Sequence, residues 1–286
     1  MTQLTQVAPS ATQRVLVFGP PKVGKTELVG NLAEKFNLIW FDCDQGFSTL
    51  FKLPPEWQAR IDLITIPDSR VYPICIETWL KVIRGDAGTV CDKHGKWNCQ
   101  LCIKDGSPVN HVELSKTPAD TIVVFDSLTQ LTNSAIANIT RSQPDDYKME
   151  RDDWGNLKIL IEKFLSQVQA ARYNIVCITH EEEVEMVDGA SKLVASSGSS
   201  RSSRNTAKYF DHVVYGQIVN GKHKFGSSTA YKASVVTGSR SGLEIEKKET
   251  PSLLDIFTTP DTVSISNEQR ETLIAALETV KKEIQS

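Results

Sequence analysis

Eight residues, Gly19-Pro20-Pro21-Lys22-Val23-Gly24-Lys25-Thr26, constrain this chain more than any other feature. They match G-x-x-x-x-G-K-[ST] without a mismatch, the spacing of a loop whose backbone N–H groups cradle phosphates. The flanks agree. Arg14 to Phe18 reads as a short buried strand, and Glu27 to Phe36 as a helix. A strand, a glycine-rich turn and a helix N-terminus bring N–H donors and the positive end of a dipole to one anion. Lys25 is then expected at the β- and γ-phosphates of a nucleotide, and the Thr26 hydroxyl at Mg²⁺.

The bulk of the chain suits one large α/β domain: 286 residues, 40% hydrophobic and 23% charged. No run of about 18 apolar residues predicts a membrane span. The polar start lacks the basic and apolar regions of a signal peptide, and six cysteines in such a chain point to a reducing compartment, the cytoplasm. Net charge is −3 but uneven: Val187 to Arg240 holds eight basic residues against two acids. Charge alone leaves two readings open, a face for a polyanion or an ordinary solvated loop.

Strand-like apolar runs recur at Asn37–Asp42, Ile61–Ile66, Thr121–Asp126 and Asn174–Thr179. Helical spacing falls between them, at Pro73–Arg84, at Leu128 to about Ile139, and from Trp154 through Val168. Alternation of this kind predicts a mainly parallel sheet with helices on both faces. Asn220-Gly221 predicts a late antiparallel hairpin, and Tyr231–Thr237 reads as a further strand. Gly189 to Asn205, rich in Ser, Gly, Lys and Arg, reads as a mobile loop. The predicted organisation is a loose tail at 1–13, a core at 14–250 interrupted by an insertion at 86–115, and a tail at 251–286 carrying a helix at Asn267–Ile284.

Nucleotide hydrolysis also needs an acid near Mg²⁺, a carboxylate to orient water and a cation for developing charge. Asp126 ends a buried strand about a hundred residues past the loop and is the expected metal partner, with helix capping as the alternative. Asp42 and Asp44 follow another strand, and one of them suits the water-orienting base. His180 ends the last parallel strand, where a polar side chain can sense the γ-phosphate.

A second cluster reads C-x2-H-x4-C-x2-C: Cys91, His94, Cys99 and Cys102. Three thiols and one imidazole in twelve residues suit tetrahedral Zn²⁺ with no open position, hence a structural knuckle. His111 is an alternative ligand. Lys93, Lys96, Trp97 and Lys104 offer this knuckle a contact to single strands through charge and stacking. Cys43, Cys75 and Cys177 read as core residues.

Taken together, Gly19 to Thr26, Asp42-x-Asp44, Val123 to Ser127 and Ile178-Thr179-His180 resemble the RecA-type ATPase core. They are most similar to short phage-encoded RecA-like P-loop ATPases, the phage nucleotide-binding protein group, which includes single-strand-annealing recombinases. Asp153-Trp154-Gly155 and Lys208 to Asp211 carry the same likeness, which spans roughly residues 14 to 245. The resemblance implies an ATPase using ATP and Mg²⁺, assembled as a homo-oligomeric ring or filament. It implies action on single-stranded DNA in recombination or annealing, in a host cytoplasm, with a single-strand-binding protein as a candidate partner. Asp44 then stands for a catalytic glutamate, His180 for a glutamine linking γ-phosphate to DNA, and Arg240 for a cation offered to a neighbour's site. Gly189 to Asn205, with Lys192, Arg201, Arg204 and Lys208 in and beside it, becomes the second DNA-binding loop. Arg141 to Asp153, although acidic, becomes the first. Two other classes stay open: a P-loop nucleotide kinase with a zinc-stapled lid, and a nucleotide-gated interaction protein with little turnover.

Overall fold

The computed structural model describes residues 12–257 apart from 145 and 249. Most of the expected N-terminal tail and the helix expected at Asn267–Ile284 lie outside the described residues. The chain runs β1 (Arg14–Phe18), α1 (Lys25–Gly30), β2 (Asn37–Asp42), α2 (Pro55–Gln58), β3 (Ile61–Thr65) and α3 (Cys75–Val82). An insertion follows: β4 (Gly88–Cys91), α4 (Gln100–Asp105) and β5 (Val109–Val112). The core resumes with β6 (Thr121–Asp126), α5 (Leu128–Ile139), α6 (Arg151–Ala170) and β7 (Asn174–Thr179). Then come β8 (Glu181–Glu185), β9 (Ser191–Ala195), α7 (Ser200–Thr206), β10 (His212–Val219), β11 (Lys222–Gly226), β12 (Gly238–Ser239) and α8 (Leu254–Phe257).

The main sheet has the order β11-β10-β1-β7-β6-β2-β3, with β12 also on β10. The six strands from β10 to β3 are parallel, and β11 and β12 add antiparallel edges. Side chains alternate across each strand, so one sheet feeds two cores. Leu16, Phe18, Val123, Phe125, Ile175 and Cys177 face α3, α5 and α6. Val15, Val17, Ile122, Val124, Val176 and Ile178 face α1 and α8. Phe125 meets Trp79 at 4.9 Å and Phe164 at 5.2 Å between ring centroids, and burying one such ring contributes about 2–3 kcal/mol. This is the α/β core that the motifs imply, a mainly parallel sheet with helices on both faces and a late antiparallel hairpin. Among the described residues no helix is long and apolar enough to cross a membrane.

Several local expectations need correction. The helix after the phosphate loop stops at Gly30 and continues as a 3-10 turn, Asn31–Glu34. Gly189–Asn205 is built into the β8–β9 hairpin and α7 rather than left as a loop. Tyr231–Thr237 is not a strand: a single bridge, Leu193 to Val235, is all it forms, and the added edge is β12. Trp154 does not join the buried face of α6 and is 42% exposed.

Candidate active site

The phosphate loop is seated on β10 by two glycines. A Cβ on Gly19 would lie 2.4 Å from the Gly216 carbonyl oxygen, and one on Gly216 would meet the Phe225 ring at 2.5 Å. Gly19 also holds φ 149 and Gly24 φ 89, which favour glycine. The loop opens into a cavity of about 480 Å³ lined by Lys25, Thr26, Asp44, Asp126, His180 and His223 among others. Here the structure brings together most of the residues singled out in the sequence. Lys25 is nearly buried. Its ammonium donates to the carbonyls of Gly19 and Pro20 at 2.9 Å each and lies 3.4 Å from His180 Nδ1. Burial lowers it to about 8, against the pull of Asp126, Asp44 and Glu181.

Asp126 ends β6 on the same face as α1, and the Thr26 hydroxyl donates to it at 3.4 Å. Ser127, not Asp126, caps α5 by accepting the Gln130 N–H, so the capping alternative for Asp126 falls away. The Ser127 hydroxyl also donates to Asp44 at 3.1 Å, and Asp44 lines the cavity. Asp42 pairs in register with Asp126 across β2 and β6. One of its oxygens accepts the Asp44 N–H at 3.2 Å, while the other is buried without a partner. Burial pushes Asp126 up to about 8, with Asp42 and Asp44 adding to the shift, and burial pushes Asp42 up to about 6. Three carboxylates, one of them with an orphaned buried oxygen, therefore share a corner opposed by Lys25. Oxygen donors with excess negative charge beside a hydroxyl fit a hard divalent cation such as Mg²⁺.

His180 couples this corner to the next elements. Its N–H donates to Thr129 Oγ1 at 3.0 Å, its carbonyl accepts the Ser196 N–H at 2.9 Å, and the Thr179 hydroxyl donates to the Ser196 carbonyl at 2.8 Å. Burial, followed by Lys25, lowers the imidazole below its ordinary value.

The basic stretch differs from its linear reading. Lys192 lies on β9, Arg201 and Arg204 on α7, and Lys208 just beyond, over the Tyr209 ring at 4.8 Å. Beside them runs β8, with glutamates at 181, 182, 183 and 185. Glu182 accepts hydrogen bonds from Ser200 and Ser203 on α7, and Glu181 accepts one from the Tyr215 hydroxyl. Counting charge from Val187 onward misses this strand. Arg240 does not reach the cavity. It sits beyond β12 at the opposite end of the sheet, paired with Asp211 at 3.0 Å, and Asp211 also holds Arg14 at 2.6 Å.

The insertion gathers Cys91, His94, Cys99 and Cys102, their ligand atoms all within 4.8 Å of one another. His94 Nδ1 lies 3.2 Å from Cys102 Sγ, 3.5 Å from Cys99 Sγ and 3.9 Å from Cys91 Sγ. Ligands at zinc distances, about 2.3 Å for sulfur and 2.0–2.1 Å for nitrogen, span tetrahedral edges of this size. His111 is exposed on β5 and outside the cluster. Trp97 is half-buried, its ring lying where a Cβ on Gly88 would be, at 2.1 Å.

A phosphate loop with its acidic strand one strand away across β7 defines a P-loop ATPase. Residues 11–241 match the family described as AAA domain, and the chain belongs to that family. No curated protein matches its sequence. Among solved structures, the crystal structure of the RadB recombinase is similar at 15% identity, over 75% of this chain and 86% of that one, with a TM-score of 0.41.

The sequence reading missed His223 in the cavity wall, the Thr129–Thr179 hydroxyl pair at 3.0 Å, and Thr49 and Lys52 on the rim. For His223 a signal existed, since the Asn220-Gly221 turn returns β11 along β10 toward the loop.

Proposed function

We propose that this chain is a Mg²⁺-dependent ATPase acting on single-stranded DNA in recombination or annealing, in the manner of the short phage RecA-like proteins it resembles. The supporting observation is the convergence of Lys25, Thr26, Asp126, Asp44 and His180 on one cavity. Bound at Thr26 and Asp126, Mg²⁺ would neutralise phosphate charge. Lys25 is placed to trade its two carbonyl partners for phosphate oxygens. Asp44, held by Ser127, accepts a hydrogen bond from the attacking water. His180 connects the phosphate end to the β9–α7 segment, where Lys192, Arg201, Arg204 and Lys208 contact the DNA backbone. In a ring or filament, Arg240 leaves Asp211 for a neighbour's phosphates.

The test is the ATP hydrolysis rate with and without a single-stranded oligonucleotide. Stimulation of severalfold is expected. Four phosphate contacts predict a log affinity–log salt slope of about −3, flattening when Lys192, Arg201, Arg204 and Lys208 are all changed to Ala. No binding and no stimulation would favour a nucleotide-gated interaction protein, and phosphoryl transfer to a nucleoside monophosphate would favour a kinase.

Cys91, His94, Cys99 and Cys102 hold a structural Zn²⁺ in this reading. Around the thiols the buried cluster is only the three cysteines with Val109 against them, while Val90 and Val112 pack into the main core, so the metal end of the insertion has little apolar surface of its own to hold its shape. Atomic absorption is expected to find one zinc per chain. Chelation should lower the melting temperature by about 5 °C or more. A chain that melts unchanged after metal removal would refute the site.

A further inference from the structure

The late hairpin reaches the phosphate loop through a side chain. His223 on β11 places Nδ1 2.9 Å from the Val23 carbonyl oxygen, inside the loop itself. A Cβ on Gly24 would sit 3.4 Å from the same nitrogen, so the ring lies against the loop backbone. His223 also lines the cavity, together with Lys22, Lys25 and Thr26. A carbonyl accepts, so Nδ1 carries the proton, and in that tautomer Nε2 is a lone-pair acceptor. Position then assigns what it accepts from. Asp126 and His180 belong to β6 and β7, on one side of β1, whereas β10 and β11 lie on the other. A nucleotide with its terminal phosphate in the acidic corner lays its nucleoside toward the β11 wall. A lone pair suits the hydroxyls of a ribose or the amino group of a base, and repels phosphate oxygens.

We propose that His223 is a nucleoside-contacting residue, delivered by the β10–β11 hairpin, whose Nε2 accepts a hydrogen bond from the ribose or base. The proposal rests on the ATP reading above and deepens it. Calorimetry on the full chain with Mg²⁺ separates the two, using ATP and inorganic tripolyphosphate as probes. His223→Asn keeps a donor near Nδ1 and loses Nε2; His223→Gln carries its amide out toward the Nε2 position. The Asn variant is expected to bind ATP about tenfold more weakly with tripolyphosphate affinity unchanged, and the Gln variant to recover most of the loss. Equal ATP affinity in wild type and His223→Asn would overturn the proposal. So would a parallel loss for tripolyphosphate, which would mean that His223 only shapes the loop. A wild-type chain that takes up neither probe would remove the ATP reading itself, and this one with it.

Discussion

Lys25→Ala is expected to weaken ATP binding by a hundredfold or more while leaving the fold intact. The ammonium now spends two hydrogen bonds on the Gly19 and Pro20 carbonyls, and a triphosphate would replace them with charged acceptors. Charge-assisted bonds contribute about 1.5–3 kcal/mol each, so losing two costs about 3 kcal/mol or more, a factor of at least 100. Stability should change little, because the same substitution removes a desolvated cation whose charged form burial already disfavours. Calorimetry for binding and a thermal melt for folding check both halves. Retained ATP affinity would mean that the phosphate loop is not the binding element.

Asp126→Asn is expected to push binding and stability in opposite directions. The folded protein holds Asp126 at about 8 against an ordinary carboxyl value of 3.8, through burial first and then Asp42 and Asp44. A carboxyl raised on folding binds more protons in the native state than in the unfolded one. Its contribution to stability is therefore lost as pH rises from about 4 to about 8. Asn carries no charge, so at pH 8 the nucleotide-free variant should be more stable, on the order of 2 kcal/mol or a few degrees in melting temperature. At pH 4 the difference should vanish. The same change removes the anionic oxygen offered to Mg²⁺, and magnesium-dependent hydrolysis should fall by at least tenfold. A stability advantage over wild type no larger at pH 8 than at pH 4 would show that the acidic corner is not strained in the nucleotide-free protein.

The parts legible in the sequence were those whose physics is local. The phosphate loop, the helix from Leu128 to Ile139 and the Cys91–Cys102 spacing each need only a short run of chain, and the structure shows a helix starting at Lys25, the helix Leu128–Ile139 and the four side chains gathered together. Asp126 was legible because a strand of six buried residues can end in an acid at few places. What stayed hidden depends on pairing over long distances. The glutamates of β8 temper the basic stretch only because the hairpin folds β9 and α7 against them. Tyr231–Thr237 has strand-like composition but finds a single bridging partner, because β12 takes the place along β10. Arg240 meets Asp211, which also holds Arg14 from 197 residues earlier in the chain. His223 reaches the loop only through the register of β10 with β11, which no property of residue 223 alone predicts.

Gly19 rests on Gly216 so closely that not even a methyl group fits between them. The nucleotide cradle is thus not a detachable module of strand, turn and helix. Its floor is supplied by chain almost two hundred positions downstream, so a polypeptide still emerging from the ribosome has no finished anion pocket until β10 has docked. Binding competence should consequently arrive late in synthesis, together with the hairpin, and a fragment ending before residue 211 should hold no nucleotide even with its entire G-x-x-x-x-G-K-T run in place.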